Sequence, residues 1–277
     1  MFNAAGLPIR DCLSSPCNAT RVFRKSISQN PQAMPLISPL PDNEESVNRL
    51  LAALPQEEPG RWTPHLESIE MPFGKVLSES GQNPSFVYFP TTAIVSLQYI
   101  MANGSSAEIA VVGNEGMVGV SLFMGGGSAL SRAVVRGAGR GYRLRAPVLM
   151  EAFGRSGPVR HLLLRYTQAL VTQVAQTAVC NRHHSVEQQL CRWLLLSLDR
   201  SQGMEHHVTQ ELIAEMIGVR REGVTVAAGH LQKDGLIRYA RGHIRILNRT
   251  GLEQRVCECY SAVAKEYSRL LSDPPAR

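Results

Sequence analysis

The sequence lacks a long hydrophobic run, although 44% of its residues are hydrophobic. No apolar stretch approaches the roughly 18 residues that a membrane-spanning helix needs, so we expect no membrane partner. A charged-then-apolar signal segment at the N-terminus is also missing. The six cysteines are spread too widely for a disulfide framework, at positions 12, 17, 180, 191, 257 and 259. These absences favour a reduced, cytoplasmic protein.

Metal-ligating patterns are scarce as well, and residues 70–145 contain no histidine. An enzyme on a cupin-like barrel would need histidine and carboxylate ligands there, so we expect no enzyme and no catalytic residue. The cysteines match no zinc or iron–sulfur spacing, and Cys257 and Cys259 would point to different faces of a helix. Surface or cap roles are favoured for the paired histidines at 183–184 and 206–207. We expect no metal site; the alternative is one that includes the N-terminal cysteines.

The chain of 277 residues is long enough for two ordinary cores. Its 29 basic and 23 acidic side chains give a net charge of +6, which fits a polyanionic partner or solubility alone. The charged residues at 41–70 are seven acids and two arginines. By contrast, a later run without any acid carries five arginines, at 132, 136, 140, 143 and 145. The later part of the chain therefore carries the positive surplus.

The first half of the chain divides into three parts. Residues 1–40 are proline-rich and have no apolar period, which predicts a disordered arm. A short amphipathic helix is expected in "NEESVNRLLAALP", from Asn43 to Pro55. From Trp62 to Leu144, short β-prone runs alternate with turn signals, and "NGSS" at 103–106 favours a hairpin. This pattern is typical of a small all-β sandwich or barrel, which we place at 43–150.

A helical period returns at Pro158, and we expect one long helix at 155–182. Residues at alternating three- and four-residue spacing form a narrow seam that predicts pairing with a second copy: Leu163, Thr167, Leu170, Val174 and Thr177. The alternative is that this seam packs on the chain's own β domain. The apolar helix "VEQQLCRWLLLSLDR" that follows would be buried in the next domain.

The segment "TQELIAEMIGVRREGVTVAAGHLQKDGLI", residues 209–237, has the features of a helix-turn-helix. Thr209 can cap the first helix, and Gly218 supplies the tight turn. Apolar residues at helical spacing hold both helices to a core: Leu212, Ile213, Met216, Val224, Ala227 and Leu231.

Polar residues remain on the outer side of the second helix near its N-terminal end: Arg220, Arg221, Glu222 and Thr225. In a DNA major groove, arginine can bond both guanine acceptors and glutamate can accept from a cytosine amino group. We predict that these residues read bases. The alternative is a solvated charged face on an ordinary helical hairpin.

The next stretch, "GLIRYARGHIRILN", predicts two short strands, Leu236–Tyr239 and His243–Leu247, around an Arg-Gly turn. A β-hairpin wing of this kind places basic residues against phosphates. With Thr209 at the start of the first helix, the candidate contacts to the DNA backbone are Arg238, Arg241 and Arg245.

The order of these parts resembles the Crp/Fnr family of bacterial transcription regulators over about residues 45–250. The most specific portion is "IAEMIGVRREGVT". Arg221 and Glu222 match the family's first two base-reading residues, whereas Val226 stands where a second arginine is usual.

The resemblance implies an α+β fold with an N-terminal β-roll or jelly-roll sensor domain and a long dimerisation helix. A winged helix-turn-helix at 183–254 and a helical tail at 255–277 would follow. It also implies a homodimer on a palindromic operator in double-stranded DNA, with RNA polymerase as a candidate partner.

For a ligand the resemblance is weaker. Cyclic-nucleotide members have a Gly-Glu pair followed by Arg-Ser/Thr-Ala, but here Val120 follows Gly119, and Ser131 precedes Arg132. Gly119, Ser131 and Arg132 are left as a candidate effector pocket beside the alternative of a plain loop and a surface cation. The cysteines and histidines of cluster- and haem-binding members are not matched, so we expect no cofactor.

The alternative function is a ligand-binding regulatory module that acts through protein partners.

Overall fold

A computed structural model of the chain describes residues 48–200 and 205–271. The arm expected at 1–40 and the start of the helix expected from Asn43 lie outside these residues. Within the described residues, the expected helix corresponds to the short helix α1 (Arg49–Ala52), whose N-terminus Asn48 caps by accepting a hydrogen bond from Leu51 N. A second short helix, α2 (Pro59–Trp62), follows it.

The next part is a β domain of two antiparallel sheets, as expected. Its strands are β1 (Glu67–Met71), β2 (Val76–Ser78), β3 (Phe86–Pro90), β4 (Ile94–Ile100), β5 (Ser106–Val112), β6 (Arg132–Gly137) and β7 (Gly139–Arg145). The strand orders are β1-β7-β3 and β2-β6-β4-β5. At the "NGSS" turn between β4 and β5, Asn103 Oδ1 accepts from Ser105 N at 3.0 Å and Gly104 has φ 84°. The predicted hairpin is confirmed.

The core between the two sheets is filled by apolar side chains, most of them small or branched. These include Met71, Val95, Leu97, Ala110, Val112, Ala133 and Val135. Removing their apolar surface from water is the main favourable contribution to the stability of a domain built in this way.

Acidic β1 lies beside the arginine-rich strand β7. The antiparallel register places Glu67 opposite Arg143 and Glu70 opposite Arg140. The corresponding nitrogen–oxygen distances are 2.6 and 2.8 Å. Two arginines of the run that has no acid nearby in sequence, Arg140 and Arg143, are therefore matched by acids in space.

Two helices follow the sheets: α3 (Ala146–Arg155) and α4 (Gly157–His183). Ser156 caps α4 by accepting from Val159 N. The long helix agrees closely with the expectation of 155–182. Within the described ranges, no helix is long and apolar enough to cross a membrane.

The seam predicted on α4 needs correction. Leu163 and Leu170 are buried in the chain's own core, and Thr167 is 8% exposed. Val174 packs against the β domain, and Thr177 accepts a hydrogen bond from Arg192 of the next helix. The seam therefore packs within the chain, which was the stated alternative.

A different stripe of α4 faces outward. Leu164 is 47% and Val171 56% exposed, and with the exposed Gln168, Ala175 and Ala178 they form what we call the α4 stripe. Its members alternate at four- and three-residue spacing, as in a coiled-coil seam. Since each residue turns a helix by about 100°, a seam read one residue too early lands on the inner face.

The C-terminal half contains the expected helices and wing. Its elements are α5 (Val186–Leu198), β8 (Glu205–His207), α6 (Gln210–Ile217), α7 (Arg221–Lys233), β9 (Ile237–Ala240), β10 (His243–Ile246), α8 (Arg249–Arg255) and α9 (Glu258–Leu271). The strands form one sheet in the order β8-β10-β9, of which β8 was not predicted. The expected α+β fold is confirmed.

The last helix, α9, folds back along α4. The rings of Tyr166 and Tyr267 meet edge to face with centroids 6.4 Å apart. Gln168 Nε2 donates to Glu266 Oε1 at 3.5 Å. The predicted helical tail therefore packs on the flank of the long helix.

A buried ion pair joins the two halves. Arg200, just after α5, lies 2.6 Å (Nε to Oε1) from Glu115 in the loop after β5, and the side chains are 6% and 11% exposed. Arg200 Nη1 donates to Leu196 O and Nη2 to Gln173 Oε1, at 2.9 and 3.2 Å. Gln173, on α4, donates to Val111 O of β5 at 3.0 Å. The network links β5, α4 and α5.

We predict that Arg200→Met destabilises the protein by roughly 3–5 kcal/mol, because it leaves the Glu115 carboxylate buried without its cation. Adding Glu115→Gln should restore part of the loss, since the buried charge is then gone. Urea unfolding followed by circular dichroism measures both. Arg269→Met, at an exposed arginine paired with Glu266, is the matched control and should change little. Equal losses from Arg200→Met and Arg269→Met would contradict the prediction.

Candidate nucleic-acid interface

The turn between α6 and α7 has the predicted geometry. Gly218 is left-handed, with φ 72° and ψ 35°, and Val219 N donates to Ala214 O at 3.0 Å. Thr209 caps α6, its Oγ1 accepting from Leu212 N at 3.2 Å. A residue with a Cβ at 218 would be strained by its φ, although nothing lies within 4 Å of such a Cβ.

The inner faces of α6 and α7 pack on the core of the C-terminal half. The buried side chains are Ile213, Ala214, Met216, Ile217, Val224, Ala227, Ala228 and Leu231. Leu212 is half-buried. The apolar pattern predicted for these helices is confirmed, and it fixes which face of α7 points outward.

The outward face of α7 carries the predicted base-reading residues. Arg220, Arg221, Glu222 and Thr225 are all exposed, and the Arg221 side chain has 64% of its surface free. Val226 beside them is 58% exposed. Thr225 Oγ1 donates to Gln210 Oε1 at 2.7 Å, which ties α7 to the first turn of α6. Polar and apolar groups thus stand together on one open surface.

The wing has the predicted tight turn. Arg241 and Gly242 have φ 49° and 78°, and Arg238 and Arg245 face each other across β9 and β10. Strand β9 is displaced by one residue from the prediction, whereas β10 begins at His243 as predicted and ends one residue earlier. Val208 N donates to Gly242 O at 2.7 Å, which adds β8 and its extension to the wing. All three arginines are exposed.

An open groove runs between the start of α6, the start of α7 and the wing. Its lining includes Thr209, Arg221, Tyr239 and Arg241. Burial raises the pKa of Tyr239, and the positive charge of nearby Arg221 opposes that rise. The groove therefore combines two guanidinium groups with the N-terminal end of a helix, a setting that favours a phosphate group.

The three candidate effector residues are not gathered into one polar site. Gly119, with φ 112°, lies against Val87 of β3, and an added Cβ would come within 2.8 Å of that side chain. Arg132 begins β6 in the other sheet, where its Nε lies 3.2 Å from Glu79 Oε1. Ser131 beside it is half-buried. The surface-cation alternative for Arg132 fits this ion pair.

A buried acid missed by the sequence analysis is Glu108 of β5, at the junction with the helix-turn-helix. It is 7% exposed and lies among residues of α4, α5 and α6. Burial raises its pKa to about 7, although Ser96 and the charges of Arg192, Arg136 and Arg200 oppose the rise. Nothing in its local sequence distinguishes it from an exposed strand residue.

The β domain also contacts α6 directly at this junction. Ser106 Oγ donates to Glu215 Oε1 at 2.6 Å, and Arg136 Nη2 lies 4.0 Å from the same oxygen. Strand β5 therefore touches α6, the helix that packs against α7.

The cysteines are not as scattered as their spacing suggested. Cys180, Cys257 and Cys259 lie together with His184, whereas Cys191 is buried but is not part of this group. Cys257 precedes α9 and Cys259 is inside it, so the two thiols need not point to different helix faces. His184 caps the end of α4, as predicted for one of the paired histidines.

Comparisons with known proteins agree with this geometry. Residues 188–255 match the family model of the Crp-like helix-turn-helix domain. A Crp/Fnr-family protein from Eubacterium rectale is 17% identical and superimposes with a TM-score of 0.60, covering 74% of this chain and 96% of its own. FixK2 from Bradyrhizobium japonicum is 16% identical with a TM-score of 0.59, covering 69% and 98%. No curated protein sequence gives a match.

A third similar structure is a CRP-family transcriptional regulator from Thermus thermophilus. It is 16% identical, has a TM-score of 0.56 and covers 68% of this chain and 95% of its own. The chain therefore has the same fold as these Crp/Fnr-family structures, and its residues 188–255 are similar to the Crp-like helix-turn-helix domain. The resemblance to the Crp/Fnr family that the sequence indicated is confirmed, both for the overall fold and for the helix-turn-helix domain.

We predict that Glu108 makes stability depend on pH. Its folded pKa lies above the ordinary 4.5, so its protonation favours the folded state, and this contribution is lost as the pH rises through about 7. Between about pH 6 and about pH 8 the free energy of unfolding should fall by about 1 kcal/mol more in the wild type than in Glu108→Gln. Urea unfolding at both pH values measures this. Glu151→Gln, at an exposed acid on α3, should keep the wild-type slope; an unchanged slope in Glu108→Gln would overturn the assignment.

Proposed function

We propose that the protein is a sequence-specific, DNA-binding transcription regulator of the Crp/Fnr type, and not an enzyme. The observation that carries this proposal is the exposed row on α7, from Arg221 to Val226, aimed outward by the Gly218 turn and bordered by the basic wing. A short helix presented in this way can fit into the major groove of double-stranded DNA.

Each member of the row has a partner on a base edge. Arg221 can donate to O6 and N7 of guanine, and Glu222 can accept from N4 of cytosine. Arg220 and Thr225 can serve adjacent positions. Val226 offers an apolar surface, 58% exposed, that suits a thymine methyl group. The half-site should therefore differ from that of members with arginine at this place.

Contacts to the DNA backbone would come from the groove and the wing. Thr209 and Arg241 line the groove beside Arg221, and Arg238 and Arg245 extend along the wing. Their positive charges would hold the duplex in register without reading its sequence.

We also propose a homodimer formed through the α4 stripe. Its heptad-like spacing and its small residues Ala175 and Ala178 suit the close parallel approach of two long helices. A two-fold axis along the stripe would present two copies of α7 to successive major grooves, about 34 Å apart. The operator would then be palindromic, and RNA polymerase would be a partner at the promoter.

The β domain is the natural sensing part of such a regulator. It contacts α6 through Glu215 and joins α5 through Glu115 and Arg200. A change in β5 or its following loop would therefore shift the helix-turn-helix relative to α4. The proposal includes no cofactor.

Selection of bound sequences from a random duplex pool, with the purified full chain, tests this function. A two-fold symmetric site, bound with an affinity that falls steeply as salt rises, is the expected result. If the chain shows no duplex preference and its binding is insensitive to salt, it is not a DNA-binding regulator, and action through protein partners gains support.

Arg221→Ala should cost about 1–3 kcal/mol of binding free energy at one base pair of each half-site and relax the preference there. Arg241→Ala should instead weaken binding to all sequences alike, since a phosphate contact carries no base information. Fluorescence anisotropy with the selected site and its single-base variants separates the two effects. Arg61→Ala, an exposed arginine of α2, is the control and should leave both unchanged. A uniform loss from Arg221→Ala would assign that side chain to phosphate.

Val171→Glu should convert the dimer to a monomer, because it places two like charges face to face across the axis. Sedimentation equilibrium measures the change in mass. Leu130→Glu alters a similarly exposed apolar residue, 65% free, in the β domain, and it should leave the dimer intact. A Val171→Glu protein that stays dimeric would place the interface elsewhere.

A further inference from the structure

Four potential metal ligands meet at the junction between α4 and α9. Cys180 and His184 stand one helical turn apart at the end of α4, and Cys257 and Cys259 come from the start of α9. The ligand atoms of all four side chains lie within 4.8 Å of one another. The three thiols are buried, and His184 is 15% exposed. Residues far apart in sequence thus converge on one small, shielded space.

Two of the distances between these ligand atoms are close to those around a tetrahedral ion. With zinc bonds of about 2.3 Å to sulfur and about 2.0 Å to nitrogen, a tetrahedron has edges of about 3.8 Å between sulfurs and about 3.5 Å between sulfur and nitrogen. The Cys180 and Cys257 sulfurs are 3.6 Å apart, and Cys259 Sγ is 3.6 Å from His184 Nδ1. Only small side-chain adjustments would be needed to bind an ion.

The surroundings also suit such an ion. His184 presents Nδ1 to the cluster, while its Nε2 lies 3.4 Å from Glu258 Oε1. A carboxylate on the far nitrogen of a histidine fixes the ring and is the usual second partner of a zinc-bound histidine.

A buried cation lies close by. Arg192 is 7% exposed and donates to Thr177 Oγ1, one turn before Cys180 on α4, at 2.7 Å. Its Nε has no hydrogen-bond partner among the described residues. Three thiolates, one neutral histidine and one divalent ion carry a single net negative charge, which the guanidinium would offset.

Other uses of the cluster fit less well. A disulfide needs sulfurs about 2.05 Å apart and would use only two of the three thiols. An iron–sulfur cluster must fit several iron and sulfide atoms between its ligands, and the four ligand atoms here are too close together for that.

We propose that Cys180, His184, Cys257 and Cys259 form a structural zinc site. Binding replaces the three thiol protons, which pass to solvent, with one Zn²⁺, and no oxidation or reduction occurs. The site closes all four positions around the ion with protein ligands, which is typical of a structural role. The site connects the end of α4 to the segment that follows the winged domain. It would therefore hold that domain in place relative to α4, from which it is separated by the bend at Ser185.

The test measures the metal content of the full chain, purified with its affinity tag removed. Inductively coupled plasma mass spectrometry should find about one zinc per chain in the wild type and almost none in Cys257→Ser/Cys259→Ser. Cys191→Ala removes a buried thiol outside the cluster and should keep the zinc. Cys12→Ser/Cys17→Ser should keep it as well.

Cobalt substitution gives a readout on the wild-type protein that needs no variant. The wild type refilled with Co²⁺ should show the intense visible bands of tetrahedral thiolate coordination. His184→Gln, a milder change at the most accessible ligand, should shift those bands and weaken metal retention against a chelator. The site is overturned if the wild type holds no zinc and gives no such bands, if Cys257→Ser/Cys259→Ser retains full zinc, or if Cys12→Ser/Cys17→Ser loses it. None of these results depends on DNA binding.

Discussion

The ion pair between Glu115 and Arg200 lies where the loop after β5, the long helix α4 and the end of α5 meet. Both side chains are buried, so each charge depends on the other and on the surrounding hydrogen bonds. Gly113 N donates to the Glu115 carboxylate, and Gln173 connects the pair back to β5. The position of the helix-turn-helix against the β domain therefore rests on a contact that tolerates little displacement. A charged pair of this kind favours a small set of discrete arrangements over continuous drift.

Features governed by local chemistry could be predicted from the sequence. The Thr209 cap, the left-handed Gly218, the "NGSS" hairpin and the Arg-Gly turn each depend on a few adjacent residues. The exposed face of α7 followed from the same reasoning, because its apolar residues show which side is buried. The α4 seam could not be predicted in this way. Both faces of that helix have heptad-like spacing, and only the position of the β domain decides which one is covered.

Contacts between distant residues were beyond the sequence analysis for a different reason. Cys180 and Cys257 are 77 positions apart, and Glu115 and Arg200 are 85 apart. No local pattern marks such pairs, since their meeting depends on the path of every element between them. Linear zinc motifs describe ligands held by short loops, and the spacing of these cysteines along the chain does not match them. Here the fold itself supplies the spacing, with α9 returning along α4. The same path brings Glu108 into a desolvated position that its sequence neighbours do not foretell.

The return of α9 along α4 also limits where a second copy could approach the long helix. Glu266 reaches Gln168, so the last helix borders the α4 stripe, and Tyr267 covers the adjoining Tyr166. One flank of the long helix is thus occupied by α9, and the opposite side by the sheets. What remains is a single narrow strip of helix. A second copy that approached α4 would therefore have to enter through the strip between α9 and the sheets.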